Sequence, residues 1–208
     1  MVRQIGSHRV RCGDIFDNLD ELYGDKKMDI FYSDPPWGNL EFWQTLNNKM
    51  TGAEKKKTDL LKFLQRFFDV AVKYTKDNAL IFVEYGIKWN QQLVEIAMCH
   101  GLKHEAEIEM LYGSPARPMV LNIFSKTGDL NITSDYKQAV YHTKGYKSLL
   151  AALVPFTSNG ATTEKKLTIT DPCCGLGYTA RYAIEHGLSF YGNELNQARL
   201  DKTIAKLS

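Results

Sequence analysis

Seven short runs rich in β-branched and aromatic residues, alternating with segments of helical period, restrict this chain more than any other feature. They are HRVRC (8–12), MDIFYS (28–33), ALIFVEY (79–85), HEAEIEMLY (104–112), MVLNIFSK (119–126), KLTITD (166–171) and LSFYGNE (188–194). Several are nearly continuous apolar runs, the pattern of strands covered on both faces of a largely parallel sheet. The covering helices are present in the pattern too. TDLLKFLQRFFDVAVKY sets Leu60, Leu64, Phe67, Ala71 and Tyr74 on one helical face, and IKWNQQLVEIAMCH does so with Trp89, Leu93, Ile96 and Ala97. NQARLDKTIAKL repeats it with Leu200, Ile204 and Leu207. Only GSPARP separates the fourth and fifth runs, too short for a crossover helix, so a hairpin turns one strand antiparallel. The expected architecture is an α/β fold with a seven-stranded, mostly parallel sheet, one antiparallel strand and helices on both faces.

At 208 residues the chain is long enough for one sizeable core, and its hydrophobic share of 44% is ordinary for a globular domain. A single domain over residues 1–208 is expected. The formal charge is only +2, short of the strongly basic balance that by itself announces nucleic acid. Cys12, Cys99, Cys173 and Cys174 form no C-x-x-C pair and no zinc spacing, which suits a reducing, cytoplasmic compartment. No signal-peptide pattern opens the chain, and no stretch approaches the roughly 18–20 apolar residues of a membrane span. Residues 38–57 lack clear periodicity, and a stretch of that length between elements reads as a lid or substrate loop.

Two stretches carry the chemistry. The first is SDPPWGN (33–39), where an apolar run stops on an Asp, two prolines and a Trp. Neither proline can donate to a sheet ladder, and both fix φ, so the strand ends in a rigid corner that holds Asp34 and Trp37. Taken alone, such a corner is also a plain strand cap. The second is KLTITDPCCGLGYTARYAIEHGLSFYGNE (166–194), which parses as strand, glycine turn, helix and strand. Gly175 and Gly177 let the backbone approach a ligand at the helix start, and Glu194 is spaced to accept hydrogen bonds from ribose hydroxyls. Two glycines there also serve as ordinary turn residues. The third glycine of the dinucleotide fingerprint is missing, since 178 is Tyr and 180 is Ala, which favours a nucleoside cofactor without a pyrophosphate. In open α/β sheets ligands bind beyond the carboxyl ends of strands, where strand order reverses. If the TITD and DIFYS strands are neighbours there, Asp171–Gly177 and Asp34–Trp37 face one crevice.

With both motifs in this order, the sequence resembles the β-class S-adenosylmethionine-dependent amino-methyltransferases, which modify exocyclic amines of nucleic-acid bases. SDPPW is similar to their catalytic D/N/S-P-P-Y/F/W and DPCCGLGYTA to their cofactor loop, with Cys173 where Phe is frequent. LSFYGNELNQARLDKTI is similar to the strand and helix that follow, and RCGDIFDNLDEL to the segment ahead of the catalytic strand. The resemblance covers nearly the whole chain. It implies a Rossmann-like class I methyltransferase fold, circularly permuted so that the catalytic motif precedes the cofactor motif. It also implies S-adenosyl-L-methionine as cofactor, no metal, and a catalytic set of Asp34, Pro35, Pro36 and Trp37. The implied cofactor contacts are Asp14, Asp34, Asp171, Cys173, Gly175, Gly177, Glu194 and Asn196. YHTKGYKSLL is only loosely similar to the segment that usually precedes the cofactor strand. It puts His142 and Lys144 at the methionyl carboxylate, or else in a solvated loop.

The chemistry so implied has Asp34 and the Pro35 carbonyl each accepting one N–H of a base amino group, with Trp37 stacked on the base. A paired base must first be flipped out. The implied partner is nucleic acid, with DNA and adenine N6 preferred. Adenosine N6 in RNA, cytosine N4 in DNA, and a catalytically silent nucleic-acid-binding subunit are the alternatives. The interval between the motifs leaves no room for a separate target-recognition domain. Specificity then falls to loops 38–57 and 127–144, to a homodimer or to a specificity partner. Lys55, Lys56 and Lys57, with Phe42 and Trp43, read either as a phosphate-tracking edge or as a solvated charge run.

Overall fold

Among the described residues, eight strands form one sheet: β1 (Val2–Ile5), β2 (His8–Cys12), β3 (Met28–Ser33), β4 (Thr75–Tyr85), β5 (Lys103–Tyr112), β6 (Arg117–Ser125), β7 (Thr168–Asp171) and β8 (Ser189–Glu194). The structure is a computed structural model that describes residues 1–38, 59–157 and 166–208. The expected lid beyond Gly38, with Phe42, Trp43 and Lys55 to Lys57, lies outside the described residues. Strand order is β1-β2-β8-β7-β3-β4-β6-β5. Pairing is parallel from β2 through β4, and β6 runs antiparallel between β4 and β5, as the short GSPARP connection requires. The difference from expectation is β1, an antiparallel edge strand on β2 that adds an eighth to the seven. Only its end residues, Val2 and Ile5, are half-buried, with Arg3 and Gln4 exposed between them, which leaves only a weak apolar signal to read.

Seven helices are described: α1 (Asp20–Tyr23), α2 (Leu60–Tyr74), α3 (Asn90–Cys99), α4 (Ser134–Val140), α5 (Tyr146–Thr157), α6 (Tyr178–Glu185) and α7 (Gln197–Leu207). Alternate residues of each strand feed two separate cores. Phe31, Ile81 and Val83 pack with Phe67, Phe68 and Leu93 under α1, α2 and α3. Ile30, Phe82 and Ile169 pack with Tyr136, Leu153, Tyr182 and Leu200 under α4 to α7. The α2 stripe is core, as its spacing predicts: Leu64, Phe67 and Ala71 are fully buried, and Phe67 meets Phe31 edge-on with ring centroids 5.3 Å apart. Asp59 caps α2 by accepting from the Leu61 N–H at 2.8 Å. Trp89 departs from its expected stripe. It sits in the 3-10 turn Ile87–Trp89 before α3, half-buried against the strand ends. No described helix is long and apolar enough to cross a membrane.

Candidate active site

Strand order reverses between β3 and β7. These two run parallel, Ile30 beside Ile169 and Phe31 beside Thr170, while the sheet continues to β4 on one side and β8 on the other. Such a reversal opens a crevice at the carboxyl ends of the strands. Asp34 follows β3 into it, Asp171 ends β7, Glu194 ends β8, and Glu84 lies one residue from the end of β4. The two motifs, 137 positions apart at Asp34 and Asp171, therefore meet.

The corner is stiffened by more than its prolines. Trp37 Nε1 donates to Asp34 Oδ1 at 2.8 Å, and the Trp37 ring lies edge-on to Tyr112 with centroids 4.5 Å apart. Gly38 has φ +53°, and a Cβ there would fall 2.1 Å from Trp89 Cε2, so this turn admits no side chain. Trp37, Trp89 and Tyr112 thus form an aromatic group beside Asp34. In this arrangement Trp37 serves first as a hydrogen-bond donor that orients the carboxylate. Asp34 reaches solvent, yet it is ringed by protein. That desolvation pushes its carboxyl up to about 7, with the Asp34–Trp37 hydrogen bond opposing, the Asp171 charge adding and Arg199 opposing.

Asp171 is buried and spends its oxygens on the protein. Oδ1 accepts from Ser33 Oγ at 2.8 Å and from the Cys173 N–H at 3.0 Å, and Oδ2 accepts from Thr179 Oγ1 at 2.8 Å. It ties the glycine loop to the end of β3, and burial raises it to about 6 in spite of those donors. Glu194 is also buried. Its Oε2 accepts from the Gly175 N–H at 2.8 Å and its Oε1 from the Asn196 N–H at 2.9 Å. Asn196 is fully buried and caps α7 by accepting from the Arg199 N–H at 3.1 Å. Asp14 follows β2, whose Cys12 pairs with Glu194, and the Gly13 N–H donates to the Glu194 carbonyl at 3.0 Å.

The glycines also serve the packing of the loop. Gly177 has φ +78°, and a Cβ there would fall 2.7 Å from Thr203 Oγ1; at Gly175 it would fall 3.2 Å from Arg199 Nη2. Both missing side chains make room for α7, so the loop is held by close packing as well as by its turn. His142 and Lys144 make their contacts on β5. His142, at φ +55°, bonds Glu109 through its backbone and its ring, and Lys144 bridges to Leu111. Both lie along β5, His142 beside Glu109 and Lys144 beside Leu111, where α4 carries the chain. Sequence reasoning missed Glu84, Tyr32, Tyr112 and Arg199. The signal for the first two was a polar residue near the carboxyl end of an otherwise apolar strand.

No protein-family model and no curated protein matches this sequence. Solved structures do match its fold. The M1.HpyAVI–SAM complex is similar over 96% of this chain and 98% of that one, with 14% identity and a TM-score of 0.65. TTHA0409 of Thermus thermophilus, complexed with S-adenosyl-L-methionine, is similar over 96% and 93%, with 12% identity and a TM-score of 0.61. The PvuII DNA methyltransferase, cytosine-N4-specific, is similar over 95% and 85%, with 13% identity and a TM-score of 0.64. The chain therefore has the α/β fold of these methyltransferases along nearly its whole length.

Proposed function

We propose that this chain is an S-adenosylmethionine-dependent methyltransferase, one domain acting on the exocyclic amino group of a base in DNA, with adenine N6 the preferred target. The observation that carries the reading is the meeting of the Asp34–Pro35–Pro36–Trp37 corner with the Gly175–Gly177 loop at the reversal of strand order. Likeness to two folds solved with S-adenosyl-L-methionine supports the choice of cofactor.

The residues present fit that cofactor. Glu194 uses one N–H on each oxygen, which leaves acceptor sites for vicinal ribose hydroxyls. Asp14 stands beside it at the end of β2. When bound, the cofactor supplies an electrophilic sulfonium methyl. Everything else falls to the chain. A base amino nitrogen is a poor nucleophile because its lone pair is delocalised into the ring. Asp34 Oδ2 and the Pro35 carbonyl each accept one N–H, which draws the nitrogen toward tetrahedral geometry. Fixed φ at both prolines, and the indole N–H on Oδ1, keep those acceptors aimed without reorganisation. As the nitrogen is alkylated it becomes acidic, and its proton passes to the Asp34 carboxylate, which reaches solvent.

Asp34→Ala is expected to abolish methyl transfer while cofactor affinity, measured by calorimetry, stays near that of the parent. The assay is tritiated-methyl incorporation into duplex DNA, single-stranded DNA and RNA, followed by nucleoside mass spectrometry. Retained turnover in Asp34→Ala sinks the assignment of the corner. N4-methylcytosine as the only product, or RNA as the only acceptor, replaces the preferred target. No cofactor affinity in the parent protein favours a catalytically silent subunit.

A further inference from the structure

Tyr32 and Glu84 stand in the crevice outside both motifs. Each interrupts an apolar run near the carboxyl end of its strand. β3 and β4 are parallel with Ser33 beside Val83, so one residue on, Asp34 and Glu84 follow side by side. Side chains alternate across a sheet. Tyr32, Asp34 and Glu84 therefore share the face that carries Ile30 and Phe82. The Tyr32 hydroxyl donates to Glu84 Oε1, and Glu84 Oε2 has no partner among the described residues. Glu84 is half-buried, at the mouth of the crevice rather than within the core.

Two carboxyl groups so close do not both ionise readily. Burial, and then the charge of Asp34, push Glu84 up to about 8, with the Tyr32 hydrogen bond opposing and Asp171 adding. Other groups facing this cluster are Tyr136 of α4, toward Tyr32, and Arg199 of α7, toward Asp34. The pair thus holds a proton at neutral pH, and the Trp37 N–H on Oδ1 together with the Arg199 charge favours the ionised form at Asp34, which leaves the proton to Glu84. Since the tyrosine hydrogen occupies Oε1, the acid proton belongs on Oε2. That leaves a directed donor with no acceptor among the described residues.

We propose that Glu84, oriented by Tyr32, donates from Oε2 to the ring nitrogen next to the amino group of the base held at Asp34. The inference rests on the reading of Asp34 as the amino-group acceptor. In adenine that ring atom is N1 and in cytosine N3, and both are bare acceptors. The guanine amino group is flanked on one side by a ring N–H, which meets this donor head-on. Donation to the ring draws a little electron density from the amino nitrogen. The contact therefore acts on binding and base choice, and its loss appears in KM before kcat.

The test is a fluorescence titration of short single-stranded oligonucleotides with S-adenosylhomocysteine present. Adenine is compared with 1-deazaadenine, and cytosine with 3-deazacytosine. The parent protein should bind at least one natural base roughly tenfold more tightly than its deaza analogue. Glu84→Gln keeps a donor in place and should keep that preference, while Glu84→Leu should lose it; thermal melts of both variants establish that they fold. The parent preference should fade as pH rises through about 8, and that of Glu84→Gln should not. No preference in the parent, or the same preference in Glu84→Leu, overturns the inference. Methyl transfer to the same oligonucleotides is read separately. Its absence with the preference intact defeats the proposed activity and leaves the base contact standing.

Discussion

Asp34 combines an acceptor's task with a carboxyl held near neutrality, and the two make opposite demands. Only the ionised form accepts an N–H on Oδ2 without a competing proton. Since the carboxyl is raised to about 7, activity should rise with pH through that value and be lost below it. Among the opposing influences, Arg199 favours the ionised form. Arg199→Met removes that charge, so the acid limb of kcat/KM should move to higher pH. A pH–rate profile of parent and variant checks this, and a limb that stays in place, or moves down, refutes it. Arg199 is a positioning residue here, so the shift of the limb separates its electrostatic role from simple damage to α7.

Among the elements, the loop between β7 and α6 depends most on its neighbours. Its glycines at φ +51° and +78° face α7 rather than open space. Gly177→Ala places a methyl against Thr203 Oγ1 and forces a side chain into left-handed backbone, a strain of about 1–3 kcal/mol. Urea unfolding should register a loss of at least that size. Adding Thr203→Ala should recover the part of the steric loss due to Oγ1 and Cγ2, and leave the contact with Thr203 Cα at 3.0 Å and the left-handed strain. Full recovery, or none, contradicts this division. Thr203 also donates to the Gly175 carbonyl at 3.1 Å, so the single Thr203→Ala variant is the necessary reference in the cycle.

For the whole molecule, one sheet separates two cores that share strands but no side chains across most of their extent. Phe67 is fully buried on one side and Leu153 on the other. Phe67→Ala is expected to cost about 3–5 kcal/mol and Leu153→Ala about 2–5 kcal/mol. Because the sheet lies between them, the double variant should equal their sum to within about 0.5 kcal/mol. One cooperative transition in all three variants, followed by fluorescence and by circular dichroism, is the expected behaviour of a single domain. Two transitions would divide the chain.

The sequence by itself determined the strand runs, the helix stripes, the hairpin and both motifs. Each is a local matter of periodicity, proline and glycine. It also supported a shared crevice, conditional on β3 and β7 being neighbours. Only tertiary structure met that condition, because strand pairing across more than a hundred residues leaves no local mark. Tertiary structure also decided the roles of single groups. Asp171 reads as a cofactor contact in sequence, and the fold adds a tie between the loop and β3, because Ser33 and Thr179 reach it from other elements. His142 and Lys144 were carried to the β5 edge by α4, a helix too short to announce itself. Glu84 looked like one polar residue in an apolar strand. It became a candidate reader of the base only when parallel pairing set it beside Asp34.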